Sequence, residues 1–417
     1  MRIVILAIGT LGDVQPYVAL GIGLKKTGYS VCIASHKDFR LFIEGCGLEF
    51  APVGYPQELM SGGDMLKLVD AGSNFISWMR RLLNLVDAIM PDFLNDCWQA
   101  CWQAEMIIYS PFGWGGYHIS QKLSIPSYIA SLQPMSRSRY FPAVWSPGWL
   151  KLGGCGNRLS HVAVEQVFWQ VFRRAANRWR KEVLDLAPIP FGGPFGKPDW
   201  QRQSFLYGYS PCVIPKPPDW AQWLHITGYW FLPPDPNWQP PNELVDFLEA
   251  GPPPVYAGFG SVPIRNQEKL TETVIEALSS AGKRGILQIG RAEITNLRVS
   301  EDIFQAGWIP HDWLFPKMAA LIHHGGASTT ANGLRAGVPS IIAPFAWDQP
   351  FWGRRIAGLG AGPNPIPCKK LTLENLATAI ITATTDNKMA ENAAAIGKII
   401  KEEDGVARAV EIISKGL

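Results

Sequence analysis

Leu321-Ile322-His323-His324-Gly325-Gly326-Ala327-Ser328-Thr329-Thr330 decides how this chain of 417 residues is read. An apolar run of strand length feeds a glycine-rich turn, and a helix pattern follows over residues 329–335. Glycines let backbone N–H groups come close to a ligand. A helix N-terminus adds unpaired donors and positive potential, the local physics of an anion site, most often one for phosphate. Ser328 and Thr329 bring hydroxyls and His324 an imidazole donor. The same residues also fit an ordinary βα turn with a Ser N-cap.

Outward from this turn, strands and helices alternate. Strands are expected over residues 255–258, 285–289, 319–323 and 340–343, with a helix over 267–281. The first of these strands ends in Gly258-Phe259-Gly260-Ser261, a second turn of glycine and hydroxyl. Two such turns in one domain are what a diphosphate needs. Neither is a Walker loop nor a G-x-G-x-x-G, which argues against ATPase and dehydrogenase readings. After the fourth strand comes Pro344-Phe345-Ala346-Trp347-Asp348-Gln349-Pro350-Phe351-Trp352-Gly353. A carboxylate beside an amide bonds hydroxyls in pairs, and aromatic faces cover the C–H face of a sugar, so Trp347 and Trp352 are expected to flank a sugar site. Asp348 also fits an N-cap for the next helix.

The first half repeats the alternation. Strands are expected over residues 3–8, 30–35, 48–51, 106–109 and 127–130, with helices over 17–26, 39–45, 75–103 and 160–186. Residues 134–158 read as an irregular insertion. The fold class is α/β, with parallel doubly wound sheets. The proline-rich stretch 232–243 is the best linker, dividing an N-terminal domain (1–231) from a C-terminal one (244–417), whose last helix is allowed to return to the first. Ligands of such folds bind at the carboxyl ends of the strands and between domains. Asp13 stands in the turn Gly9-Thr10-Leu11-Gly12-Asp13, just past the first strand. A carboxylate there can take a proton from an incoming hydroxyl, or it can N-cap a helix starting near Gln15.

Composition narrows the function classes. The net charge is only +3, against a nucleic-acid partner. The seven cysteines are scattered and contain no C-x-x-C, against a disulfide framework or a structural zinc site and in keeping with a reducing cytosol. Residues 1–8 are too short for a secretory h-region, and no apolar run reaches transmembrane length. A cytoplasmic location is expected. The 17 Trp, 19 Phe and 11 Tyr supply apolar surface beyond one ordinary core.

Gly9-Thr10-Leu11-Gly12-Asp13-Val14-Gln15-Pro16 resembles the G-[ST]-R-G-D-x-x-P opening of sterol and glycopeptide glycosyltransferases. His323 to Thr330, followed by Gly333-Leu334-Arg335-Ala336-Gly337-Val338-Pro339 and closed by Asp348-Gln349, resembles the donor signature of the family 1 UDP-glycosyltransferase superfamily. Trp308-Ile309-Pro310-His311-Asp312-Trp313-Leu314-Phe315 is similar to the segment that opens that signature. Bacterial sterol 3-β-glucosyltransferase-like enzymes are the nearest resemblance.

The resemblance implies a GT-B fold, two Rossmann-like domains facing each other across a cleft, and an inverting transfer that needs no metal and no cofactor besides the UDP-sugar. It implies that Trp308 stacks on uracil and that Ile309 bonds the base through its backbone, with His311 beside them. His324 and the turn Gly326, Ala327, Ser328 and Thr329 would hold the diphosphate, helped by Gly260 and Ser261. Asn332 would reach the ribose, from a position where many relatives place Glu. Asp348 and Gln349 would bond the hexose, and Asp13 would be the general base. Leu11 stands where related openings usually have Arg.

The acceptor side rests on Gly12 and on the tryptophans of the first half, above all Trp78, Trp114, Trp145 and Trp149, with Trp98, Trp102, Trp169 and Trp179 nearby in sequence. Such a wall suits a flat, lipophilic acceptor such as a sterol, triterpenoid or lipid alcohol; core and lid packing is the other reading. Residues 168–181 mix aromatics with five basic residues and suggest peripheral contact with an anionic membrane, or else a solvated helix face. Transfer to a polar natural product (glycopeptide, macrolide or phenolic), a GT-B sugar-nucleotide epimerase and a non-catalytic sugar-nucleotide binder remain as alternatives.

Overall fold

Ile3, Val4, Ile5 and Leu6 are wholly buried, as expected of a parallel strand covered on both faces. They belong to β1 (Arg2–Leu6), which pairs with β2 (Ser30–Ser35), itself paired with β3 (Glu49–Pro52). On the other side of β1 follow β4 (Met106–Tyr109), β5 (Ser127–Ser131), β6 (Ser204–Tyr207) and β7 (Leu224–Ile226). All pairings in this seven-stranded sheet are parallel, in the order 3-2-1-4-5-6-7.

A second, five-stranded parallel sheet holds β8 (Val255–Gly258), β9 (Gly285–Gln288), β10 (Ile303–Ala306), β11 (Ala320–His323) and β12 (Ser340–Ile342), in the order 10-9-8-11-12. The computed structural model describes residues 1–54, 75–146, 153–195, 200, 203–260, 267–288 and 300–416, without the side chains of 75–83 and 267. Ser261, Trp149, the end of the expected strand at 289 and the side chain of Trp78 lie outside the described residues.

Helices cover both sheets: α1 (Leu11–Lys26), α2 (Arg40–Gly45), α3 (Phe75–Cys101), α4 (Gly115–Leu123) and α5 (Gly153–Glu182) come from the first half. The second half gives α6 (Asn242–Glu249), α7 (Gln267–Ser280), α8 (His311–Leu314), α9 (Ala327–Ala336), α10 (Gln349–Gly358), α11 (Leu373–Thr385), α12 (Asn387–Glu402) and α13 (Gly405–Lys415). Alternation along β1 sorts its side chains between two cores. Val4 and Leu6 pack with Phe93, Leu94, Trp169 and Trp179 of α3 and α5. Ile3 and Ile5 pack with Val14, Tyr17 and Val18 of α1 and with Ala409, Val410 and Ile413 of α13. The final helix therefore lies on the first sheet.

A further core joins the two halves. Tyr207, Tyr209, Trp220 and Tyr229 pack there with Leu334, Ile342, Trp352 and Ile400.

Three expectations change. α1 begins at Leu11, six residues before the expected 17, because Thr10 and Asp13 form a capping box across Gly12. α5 begins at Gly153, inside the stretch expected to be irregular. β6, β7 and β10, strands of three or four residues, are not expected from the sequence, since Ser204, His225 and Gln305 interrupt or shorten their apolar stretches.

Candidate active site

β1 lies between β2 and β4, and β8 lies between β9 and β11. In each sheet the chain leaves its first strand toward one edge and later fills the other. That reversal opens a crevice at the carboxyl ends of the strands. Asp13, Gly260, His324 and Asp348 lie beyond the carboxyl ends of β1, β8, β11 and β12, around these two crevices.

β11 ends at His323, level with Gly258 of β8 and Ile342 of β12. Gly325 then takes φ +89°, and a Cβ there would lie 2.6 Å from Ile342 Cγ2, so only glycine makes this turn. Its N–H donates to His323 Nδ1 at 3.1 Å. The N-cap of α9 is Gly326, which provides no capping side chain, and the first turn contains no acidic residue. The first N–H groups of α9 are thus left for a ligand.

The His324 ring is set between two glycines. A Cβ on Gly260 would lie 3.0 Å from its Cε1, and one on Gly326 2.5 Å from its Nε2. Burial holds the imidazole at a pKa of about 4, so it is neutral at physiological pH. His324 Nδ1, His323 Nε2 and Thr330 Oγ1 are buried and find no hydrogen-bond partner among the described residues. Buried polar atoms are ordinarily paired, so unpaired ones beside an open helix end mark a place for polar ligand atoms.

The turn after β1 is built differently. Asp13 Oδ2 accepts from the Thr10 N–H and the Thr10 hydroxyl, both at 2.8 Å. Gly9 has φ +148°, and a Cβ on it would press on that oxygen at 2.6 Å. Asp13 is therefore the third residue of α1, not its N-cap. Burial raises its pKa, and the two Thr10 donors oppose that rise. A Cβ on Gly12 would lie 3.7 Å from Ser328 Cβ, so the N-termini of α1 and α9 meet across the cleft.

Asp348 follows β12 at the N-cap position of α10, yet makes no capping bond. Its Oδ2 instead accepts from Trp352 Nε1 at 2.9 Å. Its pKa rises to about 7, first through burial and then through the charge of Asp13, which places the two carboxylates in each other's field. Gln349 is buried, and its Oε1 accepts from the Phe345 and Ala346 N–H groups at 2.7 and 3.2 Å. Only its Nε2 donors remain for a ligand. Trp352 is 1% exposed and belongs to the core, contrary to the expectation that it flanks the sugar, whereas Trp347 is 51% exposed.

Trp308 is 62% exposed, beyond β10, and Ile309 beside it is buried. His311 stacks on Phe315 with centroids 4.2 Å apart. Burial also lowers its pKa, to about 4. Asn332 donates from Nδ2 to the Ser328 carbonyl at 2.9 Å, one turn back along α9. Sequence reasoning missed the partnership of Thr10 with Asp13, although T-x-x-D is a variant of the capping-box pattern.

The two halves match two family models: a glycosyltransferase family 28 N-terminal domain over residues 3–142, and an erythromycin biosynthesis protein CIII-like C-terminal domain over 273–409. The whole chain is 37% identical over 442 residues to a protein named sterol 3-beta-glucosyltransferase of Cryptococcus neoformans var. neoformans serotype D, covering 27% of that protein. It is 38% identical over 430 residues to one of that name from Emericella nidulans, covering 30%. The chain thus spans under a third of the length of these curated relatives. Among solved structures, the glycotransferase of kitacinnamycin aligns with a TM-score of 0.72 at 19% identity, over 100% of this chain and 98% of the other. The calicheamicin glycosyltransferase CalG4 aligns with a TM-score of 0.70 at 16% identity, over 99% and 97%. The chain has the GT-B fold.

The first half of this GT-B fold divides its tryptophans. Trp169 and Trp179 are buried, with Nε1 donating to the Pro190 carbonyl at 3.2 Å and to Asn95 Oδ1 at 3.0 Å, so they are packing residues. Trp114 is partly buried beyond β4, against His118 and Phe172, and Trp145 is partly buried too. Of the five basic residues in 168–181, Arg180 is buried, donating to the Ala187 carbonyl, His118 Nδ1 and Gln121 Oε1. Arg173 stacks on Phe191 at 4.8 Å. Arg174, Arg178 and Lys181 are exposed on a helix whose tryptophans point inward, the pattern of a solvated face. No described helix is long and apolar enough to cross a membrane.

Proposed function

We propose that this chain transfers a hexose from a UDP-sugar to a hydroxyl of a lipophilic acceptor of the sterol, triterpenoid or lipid-alcohol class. The transfer inverts the anomeric carbon, uses no metal and has Asp13 as its general base. Relatives named sterol 3-beta-glucosyltransferase favour glucose and a sterol. The observation that carries the reading is the meeting of two helix N-termini, one holding the Asp13 carboxylate and the other uncapped.

In this reading Trp308 covers uracil, Ile309 bonds the base through its backbone and Asn332 reaches the ribose. His324 and the backbone of residues 326–329 hold the diphosphate, with Gly260 and Ser261 alongside. Asp348 and the Gln349 amide bond the hexose. The acceptor oxygen attacks the anomeric carbon from the side opposite the diphosphate, and Asp13 takes its proton. The bond from that carbon to the diphosphate oxygen breaks, and its electron pair leaves with UDP. Fixed N–H donors of α9 and neutral His324 stabilise the charge that builds there. The raised pKa of Asp13 makes its ionised form a better proton acceptor than an ordinary carboxylate.

The test is incubation of the protein with UDP-glucose and a panel of sterols, triterpenoids, phenolics and lipid alcohols, read by mass spectrometry. Asp13→Asn is expected to cut turnover about 10²–10⁴-fold while UDP binds within twofold of wild type. Unchanged turnover in that variant would remove Asp13 from the mechanism. UDP-glucose altered without any acceptor would favour an epimerase.

A further inference from the structure

Three described non-glycine residues have positive φ: Ser124 at 54°, Asp185 at 49° and Trp347 at 59°. The first two are small, polar and at or just beyond helix C-termini, where left-handed backbone is common. Trp347 is neither small nor at a C-terminus. It precedes the first turn of α10, in a backbone conformation strained for a bulky side chain.

Burial does not offset that strain. The indole of Trp347 is 51% exposed, whereas Trp352, five residues on, is fully buried. The surrounding bonds hold the turn in place from both sides. Gln349 Oε1 gathers the Phe345 and Ala346 N–H groups, and Trp352 Nε1 ties down Asp348. A strained conformation enforced by its neighbours, with its side chain left in solvent, is the pattern of a side chain kept for a ligand.

The sheet order says which part of a ligand. β10 and β12 are the two edges of the second sheet, with β8 and β11 between them. Trp308 lies just beyond β10 and Trp347 beyond β12, four strand spacings apart, roughly 19 Å at about 4.8 Å each. The phosphate turns after β8 and β11 fall in the middle. A nucleoside diphosphate sugar has its diphosphate in the middle and a ring at each end. With the base at the Trp308 edge, the sugar ring falls at the Trp347 edge, beside Asp348.

We propose that Trp347 is a specificity-determining residue for the donor sugar, its indole packing against the C–H face of the hexose whose hydroxyls Asp348 bonds. This rests on the UDP-sugar reading given above. The strained backbone is retained because it aims the indole into the site.

The test is calorimetric titration of wild type, Trp347→Gly and Trp347→Phe with UDP and with UDP-glucose, without acceptor. Trp347→Gly is expected to bind UDP within twofold of wild type and UDP-glucose at least fivefold more weakly. Trp347→Phe should keep most of the UDP-glucose affinity. Glycine accepts positive φ freely, so the melting temperature of Trp347→Gly should not fall by more than about 3 °C. If Trp347→Gly leaves the ratio of the two affinities unchanged, the inference is overturned, even should the KM for acceptor rise. Wild-type protein that binds neither nucleotide would overturn the donor reading and this inference with it.

Discussion

α1 and α9 begin at facing turns of the same cleft, and their N-termini hold opposite things. α1 carries its own anion: Asp13 sits in the first turn, bonded to Thr10. α9 begins at Gly326 with no acidic residue and no capping side chain. The positive end of a helix attracts negative charge in either case. In α1 that attraction is used up internally and keeps a carboxylate in place. In α9 it remains for a molecule from outside. Two identical pieces of helix physics thus yield a fixed carboxylate at one end and an uncapped end at the other, and one side chain per turn makes the difference.

The sharpest way to break the contrast is to give α9 what α1 has. Thr329 is the third residue of α9, as Asp13 is of α1. Thr329→Asp is expected to weaken UDP binding about 100-fold, roughly 2.7 kcal/mol, with a melting temperature near that of wild type. Calorimetry and a thermal melt check it, and undiminished UDP affinity would move the diphosphate away from α9. A smaller effect is expected of Gly326→Ala, whose Cβ would crowd His324 Nε2. The KM for donor should rise about tenfold with kcat at saturation little changed, the signature of lost uniform binding. Smaller again is the structural share of Asp13. Asp13→Ala should melt about 2–4 °C below Asp13→Asn, since only the amide keeps an oxygen for Thr10, a cap worth about 1 kcal/mol.

The parallel sheets were legible because several of their strands are short, largely apolar runs. Ser30–Ser35, Met106–Tyr109 and Val255–Gly258 fall at the expected limits for that reason. The start of α1 was hidden because Gly9, Gly12 and Pro16 read as breakers, while the capping pair that overrules them is two polar residues. The tryptophans resist sequence reading most. Trp169 and Trp347 look equally available in a string of letters. One is buried with its N–H on the Pro190 carbonyl, and the other stands on strained backbone in solvent. That distinction depends on which face of which helix meets a distant segment. Arg180 is similar, since its partners His118 and Gln121 lie about sixty residues away in sequence.

The smallest effect is the one the Asp13 charge has on Asp348, and it tests whether the two turns face each other at all. The Asp348 carboxyl, pushed up to about 7 by burial and by the charge of Asp13, binds a proton more tightly in the folded chain than in the unfolded one. Between the unfolded value near 4 and about 7, the native state therefore holds the extra proton, and stability through this group falls as pH rises. The loss is complete above about pH 7 and absent below about pH 4. Asp348→Asn has no proton to release and escapes it. The melting temperature of this variant, measured without donor, should gain on wild type by about 2–5 °C between pH 5 and pH 8. In an Asp13→Asn background one cause of the raised value is gone, so the same comparison should shrink. If it does not, Asp13 and Asp348 do not share a field, and the proposed site, with one carboxylate for the acceptor's proton and the other for the sugar, loses its geometric basis.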